Sequence, residues 1–273
     1  MSPARGPGRT RVTGADEAPP PGSSDVFVQH VRLGPDAGSE GYPYDLPVVR
    51  ALRDTGGLGL DRPVTFLVGH NGSGKSTLVE ALAVAVGLNA EGGSPNFRFA
   101  TADAHSSLGE ALVVRRGRRK PRSSFFLRAE SFFNVVSEID RLDREDGPGA
   151  SVVGGYGGVP LHERSHGESF LDLFVHRFRP DGLYLLDEPE AALSPQGAMA
   201  VLARIHDLAR RGAQFVIATH SPILLAVPDA RILELDDGGA WQAVAYDAAM
   251  PVVLTRAFLA DPARHLADLL DDG

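Results

Sequence analysis

The chain contains no cysteine among its 273 residues, which excludes disulfide bridges and thiolate metal sites. Long apolar runs are also missing, since the longest, residues 81–88, is far shorter than the about 20 residues that a membrane-spanning helix needs. The first residues are rich in arginine, proline and glycine and have no apolar core, so no signal peptide is predicted. We therefore expect a cytoplasmic protein without a membrane span.

Positive charge is not in excess either. The net charge of −8 argues against a nucleic-acid-binding surface over the whole protein. A local exception is the segment 115–122, which has six basic residues in eight positions. This segment joins two strand-like runs, 111–114 and 124–129, and is predicted to form the turn of a hairpin. Its charges either lie in solvent or contact nucleic-acid phosphates, so nucleic acid stays a possible partner.

The composition predicts one domain preceded by a tail. Residues 1–25 are rich in proline, glycine, serine and charge, which is typical of a disordered segment. Residues 26–273 are predicted to form a single domain, because a chain with 43% hydrophobic residues can bury a substantial core. Its last part, 236–273, is predicted to be a hairpin turning at 237–239, followed by two short helices divided at 261–262.

The most informative stretch is an apolar run, residues 64–68, that leads into the sequence GHNGSGKS and then into an apolar helical run. A strand, a loop that fits G-x-x-x-x-G-K-[ST] and a helix in this order predict a P-loop. Glycines let successive backbone N–H groups surround phosphates, and the helix N-terminus favours negative charge. The predicted nucleotide-binding residues are Gly69, Asn71, Gly72, Ser73, Gly74, Lys75, Ser76 and Thr77.

Two of these residues have specific expected roles. Lys75 supplies positive charge to the β- and γ-phosphates of ATP, and the Ser76 hydroxyl is a ligand for Mg²⁺.

Tyr42 and Tyr44 precede the P-loop strand, where an aromatic ring either stacks on a nucleotide base or packs in the core.

Polar residues also follow two later apolar strands. Asp187 and Glu188 directly follow the apolar run 183–186. A carboxylate pair at such a position either caps a helix or contacts Mg²⁺ and polarises the attacking water. His220 follows the run 214–218 and either lies in the core or contacts the γ-phosphate. Together with a P-loop, these residues favour ATP hydrolysis, with Glu188 and His220 as catalytic residues and Asp187 near the metal.

These motifs together resemble those of ABC-type ATPases over residues 26–235. GHNGSGKS matches Walker A, LLDEP matches Walker B, ALSP resembles the D-loop, and ATHSP has His220 at the position of the switch histidine. The segment Ser165, His166, Gly167 and Glu168 resembles the signature motif, with His166 in place of its first glycine. The motifs also occur in the family's order.

This resemblance implies an α/β fold of the P-loop NTPase type. Its central sheet would be mostly parallel and flanked by helices, beside a smaller antiparallel β portion. It also implies a head-to-tail homodimer closed around two Mg²⁺-bound ATP molecules. In that dimer the signature residues 165–168 of one subunit approach the γ-phosphate held by the other.

Within the superfamily, the chain is most similar to small stand-alone bacterial ATPases labelled as AAA-family proteins, which are related to SMC and DNA-repair heads. The stretches FRFAT, FFLRAESFF, SHGESF and LLDEPEAALSPQ carry this resemblance. The distance between Walker A and the signature excludes a long coiled-coil insertion. No glutamine lies between Gly72 and Gln196, so the Q-loop glutamine of transporter ATPases is missing, and Glu130 is the candidate to replace it near the metal.

We therefore expect an ATP-hydrolysing homodimer whose cycle drives a conformational change, in nucleic-acid handling or in defence. One alternative is the nucleotide-binding subunit of a membrane transporter, which the missing glutamine disfavours. Another is an ATP-gated clamp or adaptor without turnover, which Glu188 and His220 disfavour.

Overall fold

The structure is a computed structural model that describes residues 26–89, Gly92, 103–129 and 170–270. The tail 1–25, Glu130 and the signature residues 165–168 lie outside the described residues. The strands are β1 (Val28–Leu33), β2 (Leu58–Gly59), β3 (Val64–Val68), β4 (Leu112–Arg116), β5 (Ser123–Arg128), β6 (Gly182–Asp187), β7 (Gln214–Ala218), β8 (Arg231–Leu235) and β9 (Trp241–Val244). The α-helices are α1 (Pro47–Asp54), α2 (Lys75–Val86), α3 (Asp103–Ala111), α4 (Pro195–Arg210), α5 (Met250–Ala260) and α6 (Pro262–Leu270).

A six-stranded sheet with the order β5-β6-β7-β3-β8-β9 forms the centre of the fold. Its first five strands are parallel, and β9 is antiparallel to β8 at one edge. Every residue of β3, β6 and β7 is buried, as expected for interior strands covered on both faces. The predicted mostly parallel sheet is therefore confirmed.

The strand register brings the candidate site together. Leu67 of β3 and Asp187 of β6 both pair with Ala218 of β7. Because the three strands are parallel and in this register, the segments that follow them leave the same edge of the sheet. In open α/β sheets this carboxyl edge is where ligands bind.

A three-stranded antiparallel sheet with the order β2-β1-β4 lies beside the central sheet and confirms the predicted smaller antiparallel portion. It also corrects the predicted hairpin around 115–122. β4 pairs with β1 in the small sheet, whereas β5 pairs with β6 in the large one. The basic segment therefore crosses between the two sheets. Burial explains the difference, because β4 buries only Leu112, whereas β5 buries three consecutive residues, 125–127, as a strand of a sheet covered on both faces does.

The C-terminal elements agree with the sequence. β8 and β9 form the expected hairpin around 237–239, and the two helices that follow are divided at Asp261. Among the residues that the structure describes, no helix combines the length and the apolar character that crossing a bilayer requires.

One buried side chain links the two sheets. Gln214, at the start of β7, is 1% exposed. Its Oε1 accepts hydrogen bonds from the backbone N–H groups of Phe27 and Val28, both at 2.9 Å. Its Nε2 donates to the carbonyl oxygens of Val28 at 2.7 Å and of Leu60 at 2.8 Å. The amide therefore joins the central sheet to both ends of the segment that forms β1 and β2.

We predict that Gln214→Leu lowers the free energy of unfolding by about 3 kcal/mol or more. The leucine keeps the volume but leaves several buried backbone groups without partners, and each such group costs about 1–3 kcal/mol. Urea denaturation followed by circular dichroism measures the change. Gln242→Leu is the matched control, because Gln242 is exposed in β9 and its replacement should shift stability by no more than about 0.5 kcal/mol. Equal effects of the two substitutions would contradict this role of Gln214.

Candidate functional site

The P-loop connects β3 to α2, and two of its glycines have backbone conformations that other residues rarely adopt. Gly72 has φ 80° and Gly74 has φ 91°. A Cβ atom at Gly74 would also lie 2.4 Å from Cγ1 of Val48 in α1, so a side chain is excluded for steric reasons as well. The close approach of α1 therefore requires glycine at position 74, and the loop ends with the amide groups of the α2 N-terminus, which favour anions.

Lys75 lies inside the loop. Its side chain is buried, and Nζ donates hydrogen bonds to the carbonyl oxygens of Gly69 at 2.8 Å and of His70 at 2.9 Å. Burial lowers the pKa of this ammonium group, while the nearby carboxylates of Glu188, Asp187 and Glu190 act in the opposite direction. The position concentrates positive charge where the phosphates of a bound nucleotide are expected.

The carboxylates of the acidic pair lie in different environments. Asp187 is 4% exposed, whereas the side chain of Glu188 is 44% exposed. Glu188 has φ 49° and ψ 50°, in the left-handed region, and its N–H donates to the carbonyl of Ala218 at 2.9 Å. Such a conformation costs on the order of 1–3 kcal/mol and is found most often at functional sites. The turn directs the Glu188 carboxylate away from the core.

His220 faces this carboxylate. Its Nε2 lies 3.8 Å from Oε1 of Glu188, and its backbone N–H donates to Oε1 of Glu190 at 2.6 Å. Burial and the positive charge of Lys75 lower the pKa of His220 below its usual value of 6.5, and the two glutamates only partly oppose this. The imidazole is therefore neutral at pH 7 and carries one N–H donor.

Two charged residues near the acidic pair were not singled out from the sequence. Arg128, at the end of β5, donates through Nη1 to Oε2 of Glu80 at 3.1 Å, and its Nε lies 3.7 Å from Oδ2 of Asp187. Glu80 is buried in α2. Arg128 directly follows an apolar run in the stretch FFLRAES, and this position is the sequence feature from which it could have been predicted as a site residue.

A cleft of about 570 Å³ opens in front of the P-loop. One wall consists of residues 68–71 together with His220, and the other is formed by α5. The α5 residues that line the cleft are Met250, Pro251, Leu254 and Thr255. No sequence pattern indicates that the C-terminal helices reach the nucleotide loop.

The donor atoms at this edge fit Mg²⁺, because the Ser76 hydroxyl and the Asp187 carboxylate are hard oxygen ligands. The described residues include no group of three or more histidines or carboxylates placed to hold a metal by themselves. A cation here would complete its coordination with phosphate oxygens and water, as Mg²⁺ does in nucleotide sites.

The structure thus brings the P-loop residues 69–77, Asp187, Glu188 and His220 to one edge of the sheet. Tyr44 instead packs against the core, and its hydroxyl donates to the Ser107 carbonyl at 3.2 Å. Tyr42 is 57% exposed. Part of the positive charge of the basic segment 115–122 is paired within the protein. Arg119 forms an ion pair with Asp181, and its guanidinium lies 5.4 Å from the centre of the Phe27 ring.

The P-loop, the strand-end acidic pair and the histidine, placed on a mostly parallel sheet beside a small antiparallel one, define a P-loop NTPase of the ABC type. Comparisons with known proteins agree with this class. Residues 49–138 match a family model described as "AAA domain". Residues 130–226 match a second one, described as "AAA domain, putative AbiEii toxin, Type IV TA system".

Among curated relatives, the chain is 34% identical over 190 residues to the hemin import ATP-binding protein HmuV of Pseudomonas aeruginosa, covering 63% of this chain and 72% of that protein. It is 28% identical over 209 residues to the brefeldin A resistance protein of Schizosaccharomyces pombe, of which it spans only 13%. Among solved structures, the SMC head domain from Thermotoga maritima aligns with 17% identity and a TM-score of 0.42, over 81% of this chain and 100% of that one. The chain belongs to the ABC-type ATPase superfamily.

The electrostatic coupling within the site is testable in the protein without nucleotide. We predict that the imidazole of His220 titrates below pH 6.5, that Lys75→Ala raises its pKa by removing a positive charge, and that Glu188→Gln lowers it by removing a negative one. Histidine-ring NMR over a pH series measures these shifts, with the signal assigned from its loss in His220→Gln. Lys120→Ala, which removes an exposed charge on the segment between the sheets, should leave the pKa unchanged. Shifts of the same sign in both site variants would contradict this arrangement.

Proposed function

We propose that this chain binds Mg²⁺-bound ATP and hydrolyses it within a head-to-tail homodimer, using hydrolysis to reopen the dimer. The observation that carries the proposal is the convergence of Lys75, Asp187, Glu188 and His220 at one sheet edge beside an open cleft. These groups supply the phosphate-binding cation, the carboxylate near the metal, the base and the γ-phosphate donor that ATP hydrolysis requires.

Binding begins when Lys75 exchanges one set of hydrogen-bond acceptors for another. Without nucleotide its ammonium group donates to two loop carbonyls. Phosphate oxygens are stronger acceptors than these carbonyls because they are charged. The amide groups of the loop and of the α2 N-terminus bind the same phosphates. The Ser76 hydroxyl and Asp187 would hold Mg²⁺, which would supply positive charge next to the phosphates. Arg128 fixes the Asp187 carboxylate from the side of β5.

Glu188 is the residue placed to act on water. Its carboxylate is accessible, whereas that of Asp187 is buried, and the left-handed turn at Glu188 makes this difference between consecutive residues possible. Accepting a proton from the attacking water is the role of such a positioned carboxylate. The neutral imidazole of His220 lies close enough to share the same water or to donate to the γ-phosphate. Its backbone is fixed by Glu190.

The second subunit supplies the remaining groups in this proposal. Ser165, His166, Gly167 and Glu168 of one copy would approach the γ-phosphate held by the other, as the resemblance to the signature motif implies. ATP then becomes part of the interface, and its hydrolysis removes contacts that hold the dimer closed. A nucleotide-binding subunit of a transporter is the second candidate, favoured by the likeness to HmuV. The absence of glutamine between Gly72 and Gln196 speaks against it.

Lys75→Ala should weaken ATP binding by on the order of 10²-fold, because hydrogen bonds from a charged donor contribute about 1.5–3 kcal/mol each. Isothermal titration calorimetry measures the affinity. Lys120→Ala removes a lysine outside the site and should bind ATP as the unchanged protein does. Retained affinity in a folded Lys75→Ala protein would refute the assignment of the P-loop.

Glu188→Gln tests hydrolysis and assembly together. It keeps the size of the side chain but removes the base, so turnover should fall by about 10²- to 10⁴-fold, while ATP still binds and the dimer accumulates. Phosphate release and light scattering with ATP and Mg²⁺ measure the two effects. Adding Ser165→Arg to this variant should restore a monomer that still binds ATP, because the arginine occupies the place of the opposing γ-phosphate. A Glu188→Gln protein that stays monomeric at high concentration would rule out ATP-driven homodimerisation.

A further inference from the structure

The two C-terminal helices present an unusual amount of apolar side chain to solvent. Of the thirteen large hydrophobic residues that are exposed in the described ranges, eight lie between residues 250 and 270. Leu259 is 69% exposed and Leu270 is 74% exposed. We call this the C-terminal apolar surface, and its most exposed members are Val253, Leu254, Leu259, Leu266, Leu269 and Leu270.

The composition of α5 explains why exposure of this surface to water is unfavourable. Within this helix only Val252 is buried, and its only charged residue is Arg256. The Arg256 guanidinium is directed to Asp247, with Nη2 2.6 Å from Oδ1, so this charge lies at one end of the helix. A helix that is apolar on nearly all sides is normally buried, and contiguous exposed apolar patches mark interaction sites.

The position of the surface indicates which partner covers it. Met250 and Leu254 line the same cleft as P-loop residues 69–71 and His220. The apolar surface therefore begins at the open side of the nucleotide site and continues outward along α5 and α6. The rings of Phe258 and His265, with centroids 6.1 Å apart, connect the two helices.

We infer that α5 and α6 pack against a second copy of this chain when the ATP-bound dimer closes. This inference rests on the proposed function, in which the signature segment of the partner must approach the same side of the P-loop. A subunit that closes over the cleft also meets the wall formed by α5, so the apolar surface continues the proposed interface. Burial of these leucines adds affinity that does not depend on the phosphates, whereas the contacts through ATP are lost on hydrolysis.

The test compares two single substitutions in the Glu188→Gln protein with ATP and Mg²⁺. Leu259→Glu places a charge on the C-terminal apolar surface, outside the cleft. Val113→Glu is the matched control, because Val113 is also exposed but lies on β4 of the small sheet. We expect Leu259→Glu to raise the dimer dissociation constant by about tenfold or more, since the dimer loses the burial of one leucine and gains a charge in an apolar contact. Val113→Glu should leave the constant unchanged.

Sedimentation velocity over a concentration series gives the dissociation constants, and ATP titration shows that each monomer still binds nucleotide. If the Glu188→Gln parent dimerises and Leu259→Glu does not weaken the dimer, the inference is overturned, and another protein or another segment of the chain covers this surface. If the parent itself stays monomeric, the proposed homodimer fails, and the inference fails with it. Equal weakening by both substitutions also overturns the inference, because the effect would then not be specific to α5.

A labelling experiment provides an independent readout. The chain has no cysteine, so Leu259→Cys in the Glu188→Gln background introduces a unique thiol. We expect ATP with Mg²⁺ to slow its reaction with a maleimide several-fold at dimer-forming concentrations and to have no effect under dilute conditions. Protection that is independent of protein concentration would overturn contact with a second copy.

Discussion

The four hydrogen bonds of the Gln214 side chain are the constraint on which the site depends. An amide offers two donors and an acceptor in one plane, and here all of them meet backbone groups of the segments that form the small sheet. This fixes β1 relative to β7, and α1 follows directly from the loop after β1. Val48 of α1 in turn rests against Gly74. The shape of the phosphate loop is therefore tied to a hydrogen-bond network at the opposite end of the central sheet.

Charge at the carboxyl edge is arranged in two layers. The deeper one contains Arg128 between the buried carboxylates of Glu80 and Asp187. The outer one contains Glu188, whose side chain is 44% exposed, and His220, whose ring is partly exposed while its Nε2 atom is buried. Low dielectric strengthens the interactions in the first layer, while the Glu188 carboxylate in the second remains accessible to water. Such a division suits a site in which the metal must be held still and the reacting water must be replaced in every cycle.

The parts of this site that sequence could predict are those encoded locally. The glycines, lysine and serine of the P-loop are consecutive, and Asp187, Glu188 and His220 each follow an apolar strand that is recognisable by itself. The alternation of strands and helices was enough to place these strand ends together. The error at 115–122 arose because pairing is not local: β4 and β5 are neighbours in sequence, but each finds its partner in a different sheet. Arg128, Glu80 and the α5 wall depend on the same long-range contacts.

The bonds of Lys75 to the carbonyls of Gly69 and His70 have a consequence for nucleotide binding. A glycine-rich loop would ordinarily lose much conformational entropy when it closes around phosphate. In this protein the lysine holds the loop in its curved form before any ligand arrives. Nucleotide therefore meets a loop that is already curved, and binding has to exchange these two lysine hydrogen bonds for bonds to phosphate rather than order a mobile loop.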